Sequence, residues 1–149
     1  MPLKKLTAVA IAGLLSLGVV ASVAQDAFVA PTTAEEAMAA REMLMKQNGA
    51  LLKSAGPLTG AEAEAAMQGL LDNFTHIPAV FPEGSNIGDS EALPAIWENW
   101  DAFTAIAETG RAAAADGLAA AQSGDADAYG AAIKTIGGTC GTCHKQFRS

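Results

Sequence analysis

Helical periodicity is the sequence feature that most constrains the fold of this chain. Ala, Leu, Met and Glu recur at helical spacing along it, whereas runs of β-branched or aromatic residues are missing. The pattern predicts four helices: from Thr32 or Thr33 to about Lys53, from Thr59 to the residue before Pro78, from about Pro94 to Gln122, and from about Ala126 to Phe147. Two of the three connections are short, so we expect an all-α fold, an antiparallel up-and-down four-helix bundle.

Local signals mark the ends and the buried faces of these helices. Thr32-x-x-Glu35 and Thr59-x-x-Glu62 fit capping boxes, and Ser123-Gly124-Asp125 is a turn that also caps the fourth helix. The apolar stripes of the first three helices are, in order, Ala34, Met38, Arg41, Met45 and Leu52; Ala63, Ala66, Met67, Leu70, Leu71, Phe74 and Ile77; and Ile96, Trp97, Trp100, Phe103 and Ala107. The segment from Pro78 to about Ser90 is predicted to be a long surface loop.

Residues 1–24 have the layout of a secretory signal. Lys4 and Lys5 precede an apolar run from Leu6 to Val20, and the small residues from Ala21 to Ala24 suit a cleavage site. The run is shorter than the ~20 residues that a membrane-spanning helix needs. We therefore expect one exported, soluble domain over residues 25–149.

Acidic residues dominate that domain. The chain has nine Lys and Arg against 16 Asp and Glu, a net charge of −7, which becomes −9 without Lys4 and Lys5. We expect no nucleic-acid partner, because phosphate binding needs clustered Lys and Arg. Negative charge keeps a protein soluble and can also steer it towards basic surfaces of other proteins.

Both cysteines of the chain lie at the end of the fourth predicted helix, in Cys140-Gly-Thr-Cys143-His144. The pattern C-x-x-C-H is the attachment sequence for haem c. Thiols three residues apart lie on one side of a helical turn, so each can form a thioether with one vinyl group of a porphyrin. The motif therefore predicts one haem, covalently attached through Cys140 and Cys143, with His144 as an iron ligand.

Other uses of the cysteines fit the sequence less well. A thiol oxidoreductase normally places C-x-x-C at the start of a helix, where the helix dipole lowers the thiol pKa. Structural zinc would need a fourth ligand, and only His76 is left to supply it. A disulfide between residues three apart would stabilise little, because the loop that it closes is short.

Three stretches of the chain resemble the class II c-type cytochromes, the family of the cytochromes c-prime. They are AREMLMKQNG on the first helix, PAVFPEGSNIGDSEALPAIW from the loop into the third helix, and IGGTCGTCHKQFR at the end. The resemblance extends from about Glu35 to Arg148. It implies a four-helix bundle with haem among the helices, in the bacterial periplasm and often as a homodimer.

The resemblance also implies roles for single residues. The C-x-x-C-H motif matches the two thioether anchors and the proximal iron ligand. Arg41 matches the first-helix arginine that meets a haem propionate, Met45 the residue over the distal side of the iron, and Arg148 an arginine beside the proximal imidazole. Glu42 stands where relatives often have glutamine, and we assign it no haem contact because its charge would repel a propionate.

Met45 decides between two functions within this family. In low-spin relatives a methionine at this position binds iron through sulfur, which raises the potential and suits electron transfer. In the cytochromes c-prime the distal residue only shields five-coordinate iron, which binds nitric oxide or carbon monoxide. Because LMKQNG resembles the low-spin relatives, we predict an electron carrier with a redox partner protein, not an enzyme, and keep the gas-binding protein as the alternative.

Five further residues receive predictions without a direct role at the iron. Met38, Met43 and Met67 are interpreted as core filling or surface, and His76 as a histidine outside the haem site. Gly137 costs the helix up to ~1 kcal/mol relative to Ala, so we expect the haem ring or a neighbouring helix to approach it closely.

Overall fold

The computed structural model describes residues 28–149, which form five α-helices, one short 3-10 helix at Pro78–Val80 and no strand. The helices are α1 Ala34–Ala55, α2 Gly60–His76, α3 Ala95–Glu98, α4 Trp100–Ser123 and α5 Ala126–Phe147. The four long helices, α1, α2, α4 and α5, form the predicted antiparallel bundle. The predicted signal segment, residues 1–24, and its cleavage site lie outside the described residues. None of the helices in 28–149 combines the length and the hydrophobicity that a membrane span requires.

The helix caps agree with the sequence at α5 and differ at α1 and α2. Asp125 caps α5 by accepting a hydrogen bond from the Ala128 amide at 3.0 Å. At α1 the capping box lies one residue later than predicted, because Thr33 is the N-cap and exchanges hydrogen bonds with Glu36. The Glu36 carboxylate also accepts from Thr32, and these bonds lower its pKa. Thr59 precedes α2 but makes no side-chain cap hydrogen bond, so the second predicted capping box does not form.

The predicted third helix is broken into α3 and α4. Asn99 leaves the helical conformation, with φ −127° and ψ 47°, and its side-chain amide donates to the Ala95 carbonyl at 3.3 Å. Asparagine competes in this way with the helical backbone. The break leaves Ile96 and Phe103 both buried, each 1% exposed, whereas Trp97 is half-buried and donates from its indole to the Phe81 carbonyl at 3.0 Å.

Helix α1 packs against α2 and only lightly against α5, whereas α4 packs closely against both α2 and α5. The buried side of α1 is formed by Ala37, Arg41, Leu44, Asn48 and Ala55. The predicted stripe, apart from Arg41, is half-buried and lies beside this line. The predicted face of α2 is buried except for Leu71, which is half-buried. The light contact between α1 and α5 leaves room for a cavity between them.

Glycines allow α4 to approach its neighbours closely. A Cβ on Gly110 would lie 2.1 Å from Cε1 of Phe74, and one on Gly117 would lie 2.7 Å from Sδ of Met67. Gly137, by contrast, is exposed, and a Cβ there would meet only Leu52 at 3.8 Å. A close helix approach at Gly137, one of the two predicted reasons for it, is therefore not found.

Gly110→Ala is expected to destabilise the bundle by about 1–3 kcal/mol, the usual cost of overpacking a core. The Phe74 ring that the new methyl group meets is itself only 5% exposed and has little space to move. Gly49→Ala, inside α1 with nothing within 4 Å of the added Cβ, is the matched control and should stabilise by up to ~1 kcal/mol. Urea unfolding measures both changes, and equal stability of the two variants would contradict this packing.

Candidate functional site

A cavity of about 440 Å³ lies between α1, the segment before α3, the start of α4 and the end of α5. Five of the six predicted site residues line it: Arg41, Met45, Cys143, His144 and Arg148. Cys140 is half-buried one turn before His144 and packs against the core. Phe81, Ile96, Phe103 and Phe147 form the apolar wall of the cavity. The fold thus brings the start and the end of the described chain together at one site.

The two cysteines are free thiols with raised pKa values. Burial raises the pKa of Cys140, and burial together with Cys140 raises the pKa of Cys143 to about 11. A thiol oxidoreductase needs the opposite shift, because the thiolate is the nucleophile. The cysteines therefore do not have the properties of a redox-active pair at neutral pH.

The two histidines lie in different surroundings. His76 ends α2, and its ring stacks on Phe28 with the ring centroids 3.9 Å apart. His144 lies in the last turn of α5 at the cavity. His144 is exposed, but the protein around it partly desolvates the imidazole and so lowers its pKa; the charge of Arg148 lowers the pKa further, and Glu91 opposes both. A lowered pKa keeps the imidazole neutral, which is the form that binds a metal ion.

Arg41 is a buried cation with unused hydrogen-bond donors. It is 7% exposed, and its Nη2 donates to the Ser85 carbonyl at 2.8 Å and to the Ser85 hydroxyl at 3.3 Å. Its Nε and Nη1 have no hydrogen-bond partner among residues 28–149. The guanidinium lies 4.5 Å from the centroid of the Phe81 ring, and burial lowers its pKa.

A buried charge without a counter-charge is costly, so unused donors of this kind indicate an anionic partner. In the described part of the chain no carboxylate forms a salt bridge with Arg41. A haem propionate would supply the missing anion. Together with the two free thiols and the adjacent imidazole, the unused donors of Arg41 show that the residues present fit a haem.

Two methionines of α1 line the cavity, whereas the sequence predicts only Met45 there. Met38 and Met45 are both half-buried in its wall, although Met38 is predicted to be core filling or surface. Met43 is 59% exposed and Met67 is fully buried, as predicted. Glu42, to which we assign no haem contact from the sequence, is exposed at the cavity rim.

Sequence reasoning misses the contribution of the segment between α2 and α3. The predicted surface loop contains the fully buried Ser85, which accepts hydrogen bonds from Arg41. Glu91, just after this loop, pairs with Arg148, which is exposed at the cavity rim beyond the end of α5. Neither contact has a signal in the sequence, because both join irregular backbone to residues far away along the chain.

The fold and the cavity define a class of protein, the class II c-type cytochromes. A family model described as Cytochrome C' matches residues 30–148. The chain is 36% identical over 115 residues to cytochrome c' of Rhodospirillum rubrum, covering 75% of this chain and 76% of that protein. It is 39% identical over 115 residues to cytochrome c-556 of Agrobacterium fabrum, covering 72% and 77%.

A solved structure supports the same assignment. It is a nitric oxide complex of a variant of cytochrome c prime from Alcaligenes xylosoxidans, with a TM-score of 0.67 and 25% identity over 80% of this chain and 98% of that one. The chain belongs to the cytochrome c' family and is a haem protein.

Proposed function

We propose that this protein is a periplasmic electron carrier with one haem c, whose iron is bound by His144 and Met45. The single observation that carries this proposal is that both side chains line one cavity, although they come from the first and the last helix. Thioethers to Cys140 and Cys143 would attach the haem. The similarity to a cytochrome c-556 supports the proposal.

Each residue of the cavity has a separate task in this function. The bound haem supplies an iron that changes between the ferric and the ferrous state. His144 donates the lone pair of a neutral imidazole, and Met45 donates a thioether sulfur. Arg41 binds a propionate with the two nitrogen atoms that have no partner. The apolar wall around Phe103 excludes water from the iron.

A five-coordinate gas-binding protein is the second candidate function. Here Met45 shields the distal side without binding iron, and nitric oxide or carbon monoxide enters as a ligand. The structure of the Alcaligenes xylosoxidans relative with nitric oxide favours this candidate. The two candidates differ only in whether the sulfur of Met45 reaches the metal.

Neither candidate is an enzyme. Peroxide cleavage needs a distal acid and base such as His with Arg; α1 contributes Arg41 to the cavity, which we assign to a propionate, but it contributes no histidine. Thiol exchange is opposed by the raised pKa of Cys143. We expect negligible peroxide turnover and no disulfide exchange by the loaded protein.

Export and assembly are part of the proposal. Covalent attachment of haem to C-x-x-C-H takes place outside the cytoplasm, which agrees with the predicted signal in residues 1–24 and with a periplasmic location. The acidic surface suits a redox partner protein with a basic docking face. A homodimer is the assembly that the family resemblance implies.

The ferric absorption and electron paramagnetic resonance spectra of the exported protein test this function. The protein should be produced in a host that matures c-type cytochromes. We expect one haem that acid-acetone does not remove, and a low-spin ferric signal. A high-spin signal would favour the gas-binding candidate, and two unmodified thiols without haem would contradict both.

A further inference from the structure

The last residues of the chain are joined to the segment that precedes α3. The Leu93 amide donates to the Phe147 carbonyl at 3.0 Å, and the Ser149 amide donates to the Glu91 carbonyl at 2.9 Å. We call this pairing the C-terminal clasp. It begins three residues after His144, so the helix end that carries the motif is held in place, whereas a free helix end would fray.

An ion pair lies within the C-terminal clasp. Arg148 donates from Nε to Oε2 of Glu91 at 2.6 Å, and its Nη2 lies 2.5 Å from the same oxygen. The two side chains are 50% and 57% exposed, and exposed ion pairs stabilise a fold very little. Both residues line the cavity together with His144. Their charges therefore affect the electrostatics of the cavity more than the stability of the fold.

Arg148 is tied directly to the residue that we propose as the proximal ligand. Its amide donates to the His144 carbonyl at 3.1 Å, in the extended conformation that ends α5. Without Glu91 nothing among the described residues pairs with its guanidinium. The direction of that side chain, and thus the distance of its charge from the imidazole, depends on Glu91.

We propose that Glu91 is a positioning residue that holds the Arg148 guanidinium at the cavity rim and offsets its charge beside His144. The inference rests on the proposed function, in which His144 binds iron. Ferric iron carries one more positive charge than ferrous iron, so a nearby anion favours the ferric state and a nearby cation favours the ferrous state. Glu91 thereby limits the rise in reduction potential that Arg148 would otherwise cause.

Reduction potentials of haem-loaded variants at low ionic strength test this inference. Glu91→Gln should raise the potential, and Arg148→Gln should lower it. Glu98→Gln is the matched control, because it neutralises an exposed carboxylate of α3 outside the cavity lining and should leave the potential nearly unchanged. The shifts should shrink as salt is added, since exposed charges are screened.

A double-variant cycle separates positioning from simple addition of charges. Arg148→Gln should shift the potential by a different amount in the Glu91→Gln background, because the guanidinium there is no longer held at the rim. Arg148→Lys, which keeps the charge, should shift the potential less than Arg148→Gln does. Equal shifts in both backgrounds, or equal effects of Glu91→Gln and Glu98→Gln, would overturn the inference.

Hydrogen exchange of the Leu93 amide in the loaded variants supplies a structural readout. We expect unchanged protection in Glu91→Gln, which assigns the potential shift to charge, and loss of protection would assign it to an open clasp and overturn the inference. A wild-type chain without covalent haem would overturn the proposed function as well. A loaded chain whose potential ignores Glu91 and Arg148 overturns only the positioning role.

Discussion

The variant Cys140→Ala/Cys143→Ala is expected to be exported without covalently bound haem. Each thioether needs one thiol, and the chain has no other cysteine to supply it. Alanine favours the helix, so α5 itself should remain intact. Mass spectrometry and a haem stain after denaturing electrophoresis should both show complete loss of the cofactor.

Thr142→Ala is the matched control for this variant. Thr142 lies between the two cysteines, is exposed, and donates from its hydroxyl to the Gly138 carbonyl of its own helix at 3.0 Å. The substitution keeps C-x-x-C-H intact, and we expect haem loading equal to that of the wild type. Acid-stable haem in the double cysteine variant would contradict attachment through these residues.

Met45→Ala is expected to convert the ferric iron from low spin to high spin. Loss of the thioether sulfur leaves His144 as the sole protein ligand, and five-coordinate ferric haem is high-spin. The reduction potential should fall, within the roughly 0.8 V range over which axial ligands tune haem proteins. Absorption spectra, electron paramagnetic resonance and redox titration measure the change.

Met38→Ala controls for the loss of a methionine from the same cavity wall. Met38 and Met45 both belong to α1 and are both half-buried at the cavity. We expect Met38→Ala to retain the low-spin signal. A high-spin signal from Met38→Ala alone would assign the sixth ligand to Met38 instead, and low-spin iron in both single variants would exclude either sulfur as the required ligand.

Features encoded by neighbouring residues could be predicted from the sequence. The bounds of α5 agree at both ends, because Asp125 caps its first turn and the helical pattern continues to Phe147. The buried face of α2 is also predicted well, since its apolar residues repeat at the helical period. The break at Asn99 is missed because the apolar pattern continues through it.

The same distinction holds for the candidate site: features formed by neighbouring residues could be predicted, and contacts between distant segments could not. The C-x-x-C-H motif can be recognised in the sequence because both thiols and the imidazole must lie within one or two helical turns. Arg41 and Met45 become recognisable through the family resemblance, at positions four residues apart on one helix. Ser85 and Glu91, the partners of Arg41 and Arg148, could not be predicted from the sequence, because irregular segments carry no periodic signal.

The sequence by itself determined the four long helices, the C-x-x-C-H motif and the acidic character of this protein, because each depends on composition or on residues close together along the chain. The tertiary structure alone decided that α1 packs lightly against α5 and leaves a cavity there. It also decided that Arg41 is buried with unused donors and that Glu91 holds Arg148. These features depend on the packing of distant segments, and the spacing of residues along one helix does not specify that packing.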